Sequence, residues 1–153
     1  MSKIQILRLT PEDAAAAAGV EKACFSAPWS ENVYHATLLL PYAHYFGAFD
    51  GELLIGTCGL QAPCGDGEIS NVAVLPSYRR QGIAHDLLET TLRESEPYVT
   101  TGDCTLEVRE GNIAARSLYE SFGFVIEGRR RNYYTDPPED ALIMWRRGKR
   151  EHL

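Results

Sequence analysis

Cysteine is scarce in this sequence and lacks metal-binding patterns. Cys24, Cys58, Cys64 and Cys104 are irregularly spaced, without a Cys-x-x-Cys pair or accompanying histidines. The spacing therefore argues against a zinc site, and no partner base is recognisable for a cysteine nucleophile. Cys58 and Cys104 fall in predicted strands, where a free thiol commonly acts as a small buried hydrophobe.

Long apolar runs are also missing. No run approaches the roughly 20 residues of a membrane span, and Pro28 and Pro41 interrupt the first third. The N-terminus lacks the apolar centre of a signal peptide, so a cytoplasmic protein without a membrane partner is expected. With 153 residues and 44% hydrophobic side chains, one domain over residues 1–153 can bury a core.

Positive charge is sparse in most of the chain. Residues 1–128 carry 8 basic and 17 acidic side chains, whereas residues 129–153 carry 7 and 4. An acidic body favours a cationic substrate and argues against direct nucleic-acid binding, although an ordinary solvated surface has the same composition. The basic end is interpreted as solubilising, and a contact with the ribosome or RNA stays open; it contains Arg146, Arg147, Lys149 and Arg150.

Hydrophobic patterning predicts an α+β chain in the order β-α-α-β-β-β-α-β-α-β-β. An opening strand precedes an alanine-rich helix to about residue 25 and a helix capped by Ser30. A hairpin of strands 45–49 and 53–60 and one continuous strand over 68–75 follow.

The second half predicts a strand over 105–109, then a helix that Asn112 caps and Gly123 closes. Two final strands, 124–126 and 141–145, are expected on either side of a long loop.

Residues 72–84 join an apolar strand to a glycine turn and a helix. Arg79, Gly82 and Ala84 give an Arg-x-x-Gly-x-Ala spacing, and the periodic segment that follows predicts an amphipathic helix. Unpaired amides and the macrodipole at a helix N-terminus favour an anion such as pyrophosphate, and glycine permits a close approach. An ordinary turn with two solvated arginines is the alternative. No Gly-Lys-Ser/Thr or early Gly-x-Gly supports a nucleotide triphosphate or Rossmann site.

This spacing resembles the acetyl-coenzyme A signature of the GNAT acetyltransferases, Arg/Gln-x-x-Gly-x-Gly/Ala. Residues 106–124 resemble the Leu-Glu-Val-Arg, Asn-x-x-Ala and Leu-Tyr-x-x-x-Gly-Phe block of the ribosomal-protein-alanine N-acetyltransferases, the RimI type. Residues 27–30, 130–134 and 139–144 are similar to the same subfamily. The resemblance implies the GNAT fold, an α+β fold with a mixed sheet of about six to seven strands and about four helices.

The resemblance also implies acetyl-CoA as cosubstrate and no metal. The strand at residues 71–74 is expected to splay from its neighbour and to pair with the pantetheine, so that a main-chain amide can stabilise the thioester oxyanion. For the apolar residues of this strand, the alternative is simple core packing. For Asn112, the alternative is capping of the helix alone. The expected cofactor-binding residues are Val72, Ala73, Val74, Arg79, Arg80, Gln81, Gly82, Ile83, Ala84, His85 and Asn112.

Acetyl transfer to an amine needs a base, because an ammonium has no lone pair, and a proton for the departing thiolate. Glu107 matches the family's general base, acting directly or through a water, or is a strand carboxylate paired with an arginine. Tyr119 matches the general acid, or is a core aromatic. Glu68 is the rival base, or a solvent-facing edge residue.

The acceptor is expected to meet Trp29, Tyr133, Tyr134 and Glu68. Trp29 either forms a wall of an acceptor groove or only anchors the N-terminal helices, and the two tyrosines are expected on the loop between the last strands. Aromatic walls and an acidic body suit a positively charged peptide N-terminus.

The leading expectation is direct transfer, in a ternary complex, to the N-terminal α-amine of a protein, with the N-terminal alanine of a small-subunit ribosomal protein as acceptor. A GNAT enzyme acting on a small amine or a lysine is the alternative. A coenzyme A-binding sensor without catalysis is the alternative outside the enzymes.

Overall fold

A computed structural model describes residues 3–70 and 72–148. The helices are α1 Ala14–Cys24, α2 Glu31–Leu38, α3 Ile83–Ser95 and α4 Ile113–Ser121. The strands are β1 Ile4–Arg8, β2 Ala43–Asp50, β3 Leu53–Gln61, β4 Gly67–Ile69, β5 Ala73–Val74, β6 Cys104–Arg109, β7 Val125–Thr135 and β8 Pro138–Arg146. Asn71, Lys149 and Arg150, named in the sequence predictions, lie outside the described residues.

The strands form one mixed sheet in the order β1-β2-β3-β4-β6-β8-β7, with β5 paired to β3. Only β4 and β6 run parallel within the described sheet. The predicted α+β class with a mixed sheet and four helices is confirmed, with eight strands instead of six to seven.

Two apolar clusters cover the sheet. One contains the buried sides of α3, α4, β3 and β6, including Leu87, Leu106 and Tyr119. The other packs α1 and α2 on the sheet and includes Ala17 and Tyr34. In the part of the chain that the structure describes, no helix combines the length and apolar character needed to cross a membrane.

Hydrogen bonds fix the junction between α1 and α2. Ser30 Oγ accepts the Val33 amide at 3.2 Å and caps α2, as predicted. The Glu21 carboxylate in α1 accepts the Trp29 amide at 2.5 Å and the Tyr34 hydroxyl at 3.2 Å. Burial, the largest influence, raises the pKa of Glu21, while these two hydrogen bonds lower it. The 25–30 segment is therefore tied to both helices.

The prediction of one strand over residues 68–75 is wrong, because a bulge divides it into β4 and β5. Leu60 of β3 faces Ile69, whereas Thr57 faces Ala73, so three steps along β3 match four steps along the other strand. Ser70 Oγ accepts the Gly59 amide at 2.9 Å and replaces a ladder bond. Bulges bend a strand and redirect its side chains. After the bulge, β5 stays paired with β3. The pairing of β4 with β6 covers only two residue pairs, so the sheet splits between β5 and β6.

The predicted long loop between the last two strands is also wrong. β7 and β8 form a hairpin that extends to a tight turn at residues 136–137. The register slips after Arg130, where four steps along β7 match two steps along β8. Asn132, with a φ of 50°, donates its amide to the Asp140 carboxylate at 2.9 Å. Tyr133 and Tyr134 therefore lie in a strand, not in a loop.

Close packing across the β2–β3 pair gives a test of the fold. Gly59 faces Tyr45, and a Cβ on Gly59 would lie 2.1 Å from a carbon of that ring. We expect Gly59→Ala to lower the free energy of unfolding, measured in urea, by about 1–3 kcal/mol, because the ring must move. Gly19→Ala is the matched control: its Cβ meets nothing within 4 Å in α1, and it should raise stability by about 0.5–1 kcal/mol. A Gly59→Ala protein as stable as the wild type would contradict this packing.

Candidate active site

The predicted phosphate loop lies at the start of α3. Gly82 precedes the helix with a φ of 80°, and Arg80 has a φ of 65°. This left-handed backbone is accessible to glycine at low cost. The first amides of α3 lack partners within the helix and lie at the positive end of its dipole. The loop therefore presents donors for an anion.

A cavity of about 660 Å³, the helix-end cavity, opens beside this loop. It brings together most of the predicted cofactor residues: Val72, Ala73, Val74, Arg79, Arg80, Gly82, Ile83, Ala84, His85 and Asn112. Gln81 belongs to the loop but is not among the lining residues. Tyr119 lines the same cavity, so the predicted general acid and the predicted anion site share one space.

Arg79 has a contact that its sequence did not indicate. Its Nε donates to the Val74 carbonyl at 2.9 Å, and Nη2 lies 3.8 Å from Cys24 Sγ. The guanidinium thus supports the end of β5 while lining the helix-end cavity. Its predicted part in binding pyrophosphate stays a prediction.

Tyr119 lies in α4 and is 1% exposed, with its ring in the core. Its hydroxyl oxygen accepts the Val72 amide at 3.3 Å, at the mouth of the split sheet. Burial is the main cause that raises the pKa of Tyr119 well above its usual value, while the Val72 hydrogen bond lowers it. The phenol is therefore protonated at neutral pH and can donate a proton. Tyr119 can therefore be both a core aromatic and a proton donor.

Asn112 caps α4, because its Oδ1 accepts the Ala115 amide at 3.2 Å. It also lines the helix-end cavity. The cap holds the side chain at the cavity edge, where the resemblance places a pantetheine contact. Gly123, with a φ of 92°, follows the helix in the predicted closing position.

A second cavity of about 260 Å³, the carboxylate cavity, contains the predicted base and its rival. Glu68 faces Thr105 across the parallel pair, so Glu107, two residues further along β6, lies on the same sheet face. Tyr133 and Tyr134 complete its walls. Four of the residues predicted for base and acceptor are thus brought together.

Glu107 is one-third exposed and is held between two residues of β7. Its Oε2 lies 3.5 Å from Nε of Arg130. Hydrogen bonding to Glu107 is the main cause that raises the pKa of Tyr133. The pairing with Arg130 matches the alternative that Glu107 is a strand carboxylate paired with an arginine. The carboxylate also faces an open cavity, so the acceptor amine can reach it.

The two predicted catalytic residues approach the split from opposite faces. Leu106 and Val108 of β6 pack in the same cluster as Tyr119. Since side chains alternate along a strand, Glu107 faces the other side. Tyr119 therefore lines the helix-end cavity, and Glu107 lines the carboxylate cavity on the other side of the split.

Trp29 lines neither of these cavities. Its ring meets Tyr34 edge-on at 5.2 Å and Tyr45 at 6.2 Å. These contacts match the anchoring alternative, and a part in acceptor binding stays a prediction.

Some lining residues were not predicted. Ala114, Ala115 and Leu118 belong to α4, whose helical spacing carried a signal for them. Cys24 and Phe25 come from the end of α1, 50 residues before Val74 in the case of Cys24. No local sequence pattern there indicates a cavity. Among residues 3–70 and 72–148, no group of three or more His, Cys, Asp or Glu side chains is arranged to hold a metal ion.

A split mixed sheet beside a helix N-terminus is the arrangement that the resemblance predicted, and residues 15–124 match the Acetyltransferase (GNAT) family. The chain therefore belongs to the GNAT family of acetyltransferases. The predicted family, fold and acetyl-CoA-dependent enzyme class are confirmed.

The relatives include a named subfamily. The ribosomal protein bS18-alanine N-acetyltransferase of Escherichia coli K12 is 37% identical over 148 residues, 94% of this chain and 96% of that protein. A Bacillus subtilis protein provisionally given that name is 40% identical over 130 residues, 82% and 83% of the two chains. The crystal structure of the Escherichia coli ribosomal-protein-S18-alanine N-acetyltransferase has a TM-score of 0.87 and 33% identity, covering 98% of this chain and 97% of that one.

The left-handed loop gives a test of the anion site. We expect Gly82→Val to raise the Kd for coenzyme A at least about tenfold, because a β-branched residue resists a positive φ and the loop amides must turn away. Isothermal titration measures this. Gly51→Val is the matched control: Gly51 has a φ of 61° in the β2–β3 turn and does not line the helix-end cavity, so this variant should bind coenzyme A normally. Normal affinity in the Gly82→Val protein would contradict the backbone account.

Proposed function

We propose that this protein transfers the acetyl group of acetyl-CoA to the N-terminal α-amine of a protein, and that its acceptor is the N-terminal alanine of ribosomal protein bS18. Family membership supports acetyl transfer. The named relatives, similar over nearly their whole length, support the acceptor. We place the reaction in the cytoplasm, because ribosomal proteins are synthesised in the cytoplasm.

The observation that carries the proposal is the pair of cavities on opposite sides of the split sheet. One presents helix amides and a buried tyrosine hydroxyl, and the other presents two carboxylates and two tyrosines. An anionic donor suits the first, and a cationic amine suits the second. This arrangement favours direct attack through the split, without a covalent enzyme intermediate.

Each residue then has a defined part. Glu107 takes a proton from the acceptor ammonium, whose reference pKa near 8 makes this a modest task. The amine nitrogen attacks the acetyl carbon, the nitrogen–carbon bond forms and the carbon–sulfur bond breaks. Tyr119 donates its proton to the leaving sulfur, and the second proton of the nitrogen returns to Tyr119 through solvent. Glu107 then releases the first proton to solvent. We also assign stabilisation of the developing oxyanion to the Val72 amide, which is the hydrogen-bond donor to Tyr119.

Initial rates with competing acceptors test this function. A peptide with the N-terminal sequence of bS18 is compared with polyamines and aminoglycosides at equal concentration, using release of coenzyme A as the signal. We expect the peptide to have the highest kcat/KM. The same peptide with a formylated N-terminus is the matched control and should not react. Equal or better use of the small amines would overturn the peptide assignment.

A further inference from the structure

Arg109 is the last residue of β6, and the motif that contains it left it without a role. It follows Glu107 by two positions, so the two side chains lie on the same face of the sheet. Only 25% of the Arg109 side chain is exposed. A guanidinium this enclosed needs several partners to offset its lost hydration.

Most of these partners belong to the β7–β8 turn. Nη1 donates to the Pro137 carbonyl at 2.9 Å and pairs with Glu139 Oε1 at 3.2 Å. Nη2 donates to the Asp136 carbonyl at 3.1 Å. Two donors of one planar group thus hold consecutive carbonyls of the turn, a pattern that suits the fixed fork of arginine.

The same guanidinium supports a wall of the carboxylate cavity. Its central carbon lies 4.3 Å from the centre of the Tyr134 ring. Tyr133 meets that ring edge-on at 5.1 Å, and both tyrosines line the cavity with Glu107. Arg109 therefore stabilises the orientation of Tyr134 from behind, while the ring faces the space assigned to the acceptor.

A further contact crosses to the N-terminal helices. Nη2 donates to Ser26 Oγ at 3.2 Å. Ser26 follows Phe25, which lines the helix-end cavity. The β7–β8 turn and the 25–30 segment come from different parts of the chain, and both approach the split. The Arg109 side chain contacts both of them.

We propose that Arg109 is a positioning residue for the acceptor: it holds the β7–β8 turn and Tyr134 against the 25–30 segment, and so fixes the acceptor wall beside Glu107. This inference rests on the proposed function. It does not place Arg109 in contact with the reacting atoms. Arg109 thus affects the binding of the acceptor and not the binding of acetyl-CoA.

Steady-state kinetics of Arg109→Lys test this role. Lysine keeps the charge but cannot hold two carbonyls and Ser26 together. We expect the KM for the bS18 peptide to rise about tenfold, with kcat and the KM for acetyl-CoA within about twofold of wild type. Arg129→Lys is the matched control, since Arg129 pairs with Asp140 in the same hairpin but has no described contact with Tyr134. Its constants should match those of the wild type.

Hydrogen exchange of the amides of residues 133–136 separates failure of this inference from failure of the proposed function. Faster exchange at these amides in Arg109→Lys, with protection unchanged in β3, supports the positioning role whichever amine the wild type acetylates. Unchanged exchange, wild-type KM for the peptide, or a joint loss of kcat and both affinities with a large fall in Tm would overturn it.

Discussion

Replacing Glu107 by glutamine is expected to lower kcat at neutral pH by tenfold or more, because general base catalysis commonly contributes about 10²–10⁴-fold. Glutamine has nearly the same shape and retains an acceptor for Tyr133, but it cannot take the ammonium proton. The Kd for coenzyme A should stay within about twofold, since Glu107 does not line the helix-end cavity. Stopped-assay rates and titration calorimetry measure the two quantities.

The dependence on pH sharpens this prediction. An α-amine with a reference pKa near 8 is already neutral above about pH 9. The defect of Glu107→Gln should therefore shrink as the pH rises. Glu68→Gln is the matched control in the same cavity: it should lose much less than Glu107→Gln. A large loss in Glu68→Gln with normal turnover in Glu107→Gln would transfer the base role to Glu68.

Replacing Tyr119 by phenylalanine is expected to lower kcat by tenfold or more while the Kd for coenzyme A barely changes. The ring stays in the core, and only the proton donor is lost. Because the pKa of Tyr119 is raised, its hydroxyl stays protonated to at least pH 10, its usual range. Wild-type kcat should therefore not fall between pH 8 and about 10 through ionisation of this group.

A buried hydroxyl elsewhere provides the control for Tyr119→Phe. Tyr34 is 2% exposed and donates to Glu21 at 3.2 Å. Each tyrosine loses a buried hydrogen bond on substitution, which costs about 1 kcal/mol of unfolding free energy in urea. Only Tyr119→Phe should lose turnover. Normal kcat in Tyr119→Phe would return the coenzyme A-binding sensor to consideration.

Local signals predicted the parts of the fold that depend on neighbouring residues. Caps at Ser30 and Asn112, the β2–β3 hairpin and the apolar face of α3 all follow from short-range patterns. The bulge after Ile69 has no local signal, because Ser70 there bonds the backbone of the distant strand β3, and only the family resemblance predicted that the strand splays. The split of the sheet, which forms the site, therefore comes from a tertiary contact.

The sequence predicted a strand over residues 124–126, but the rest of β7 was missed because it carries no apolar alternation. It forms one edge of the sheet, and almost all of its residues are exposed, with arginines at 129–131. Its partner β8 and charge pairs such as that of Arg129 with Asp140 stabilise it instead. The family resemblance predicted that Tyr133 and Tyr134 contact the acceptor, and the hairpin places them beside Glu107.

Mass spectrometry of peptides acetylated by the purified protein tests the central proposal most directly. The substrate is a bS18 N-terminal peptide that also contains a lysine, incubated with acetyl-CoA and fragmented to locate the modification. We expect one acetyl group on the α-amine of the N-terminal alanine and none on the lysine. Acetylation of the lysine alone, or an unmodified peptide beside an acetylated small amine, would contradict N-terminal acetylation as the function of this protein.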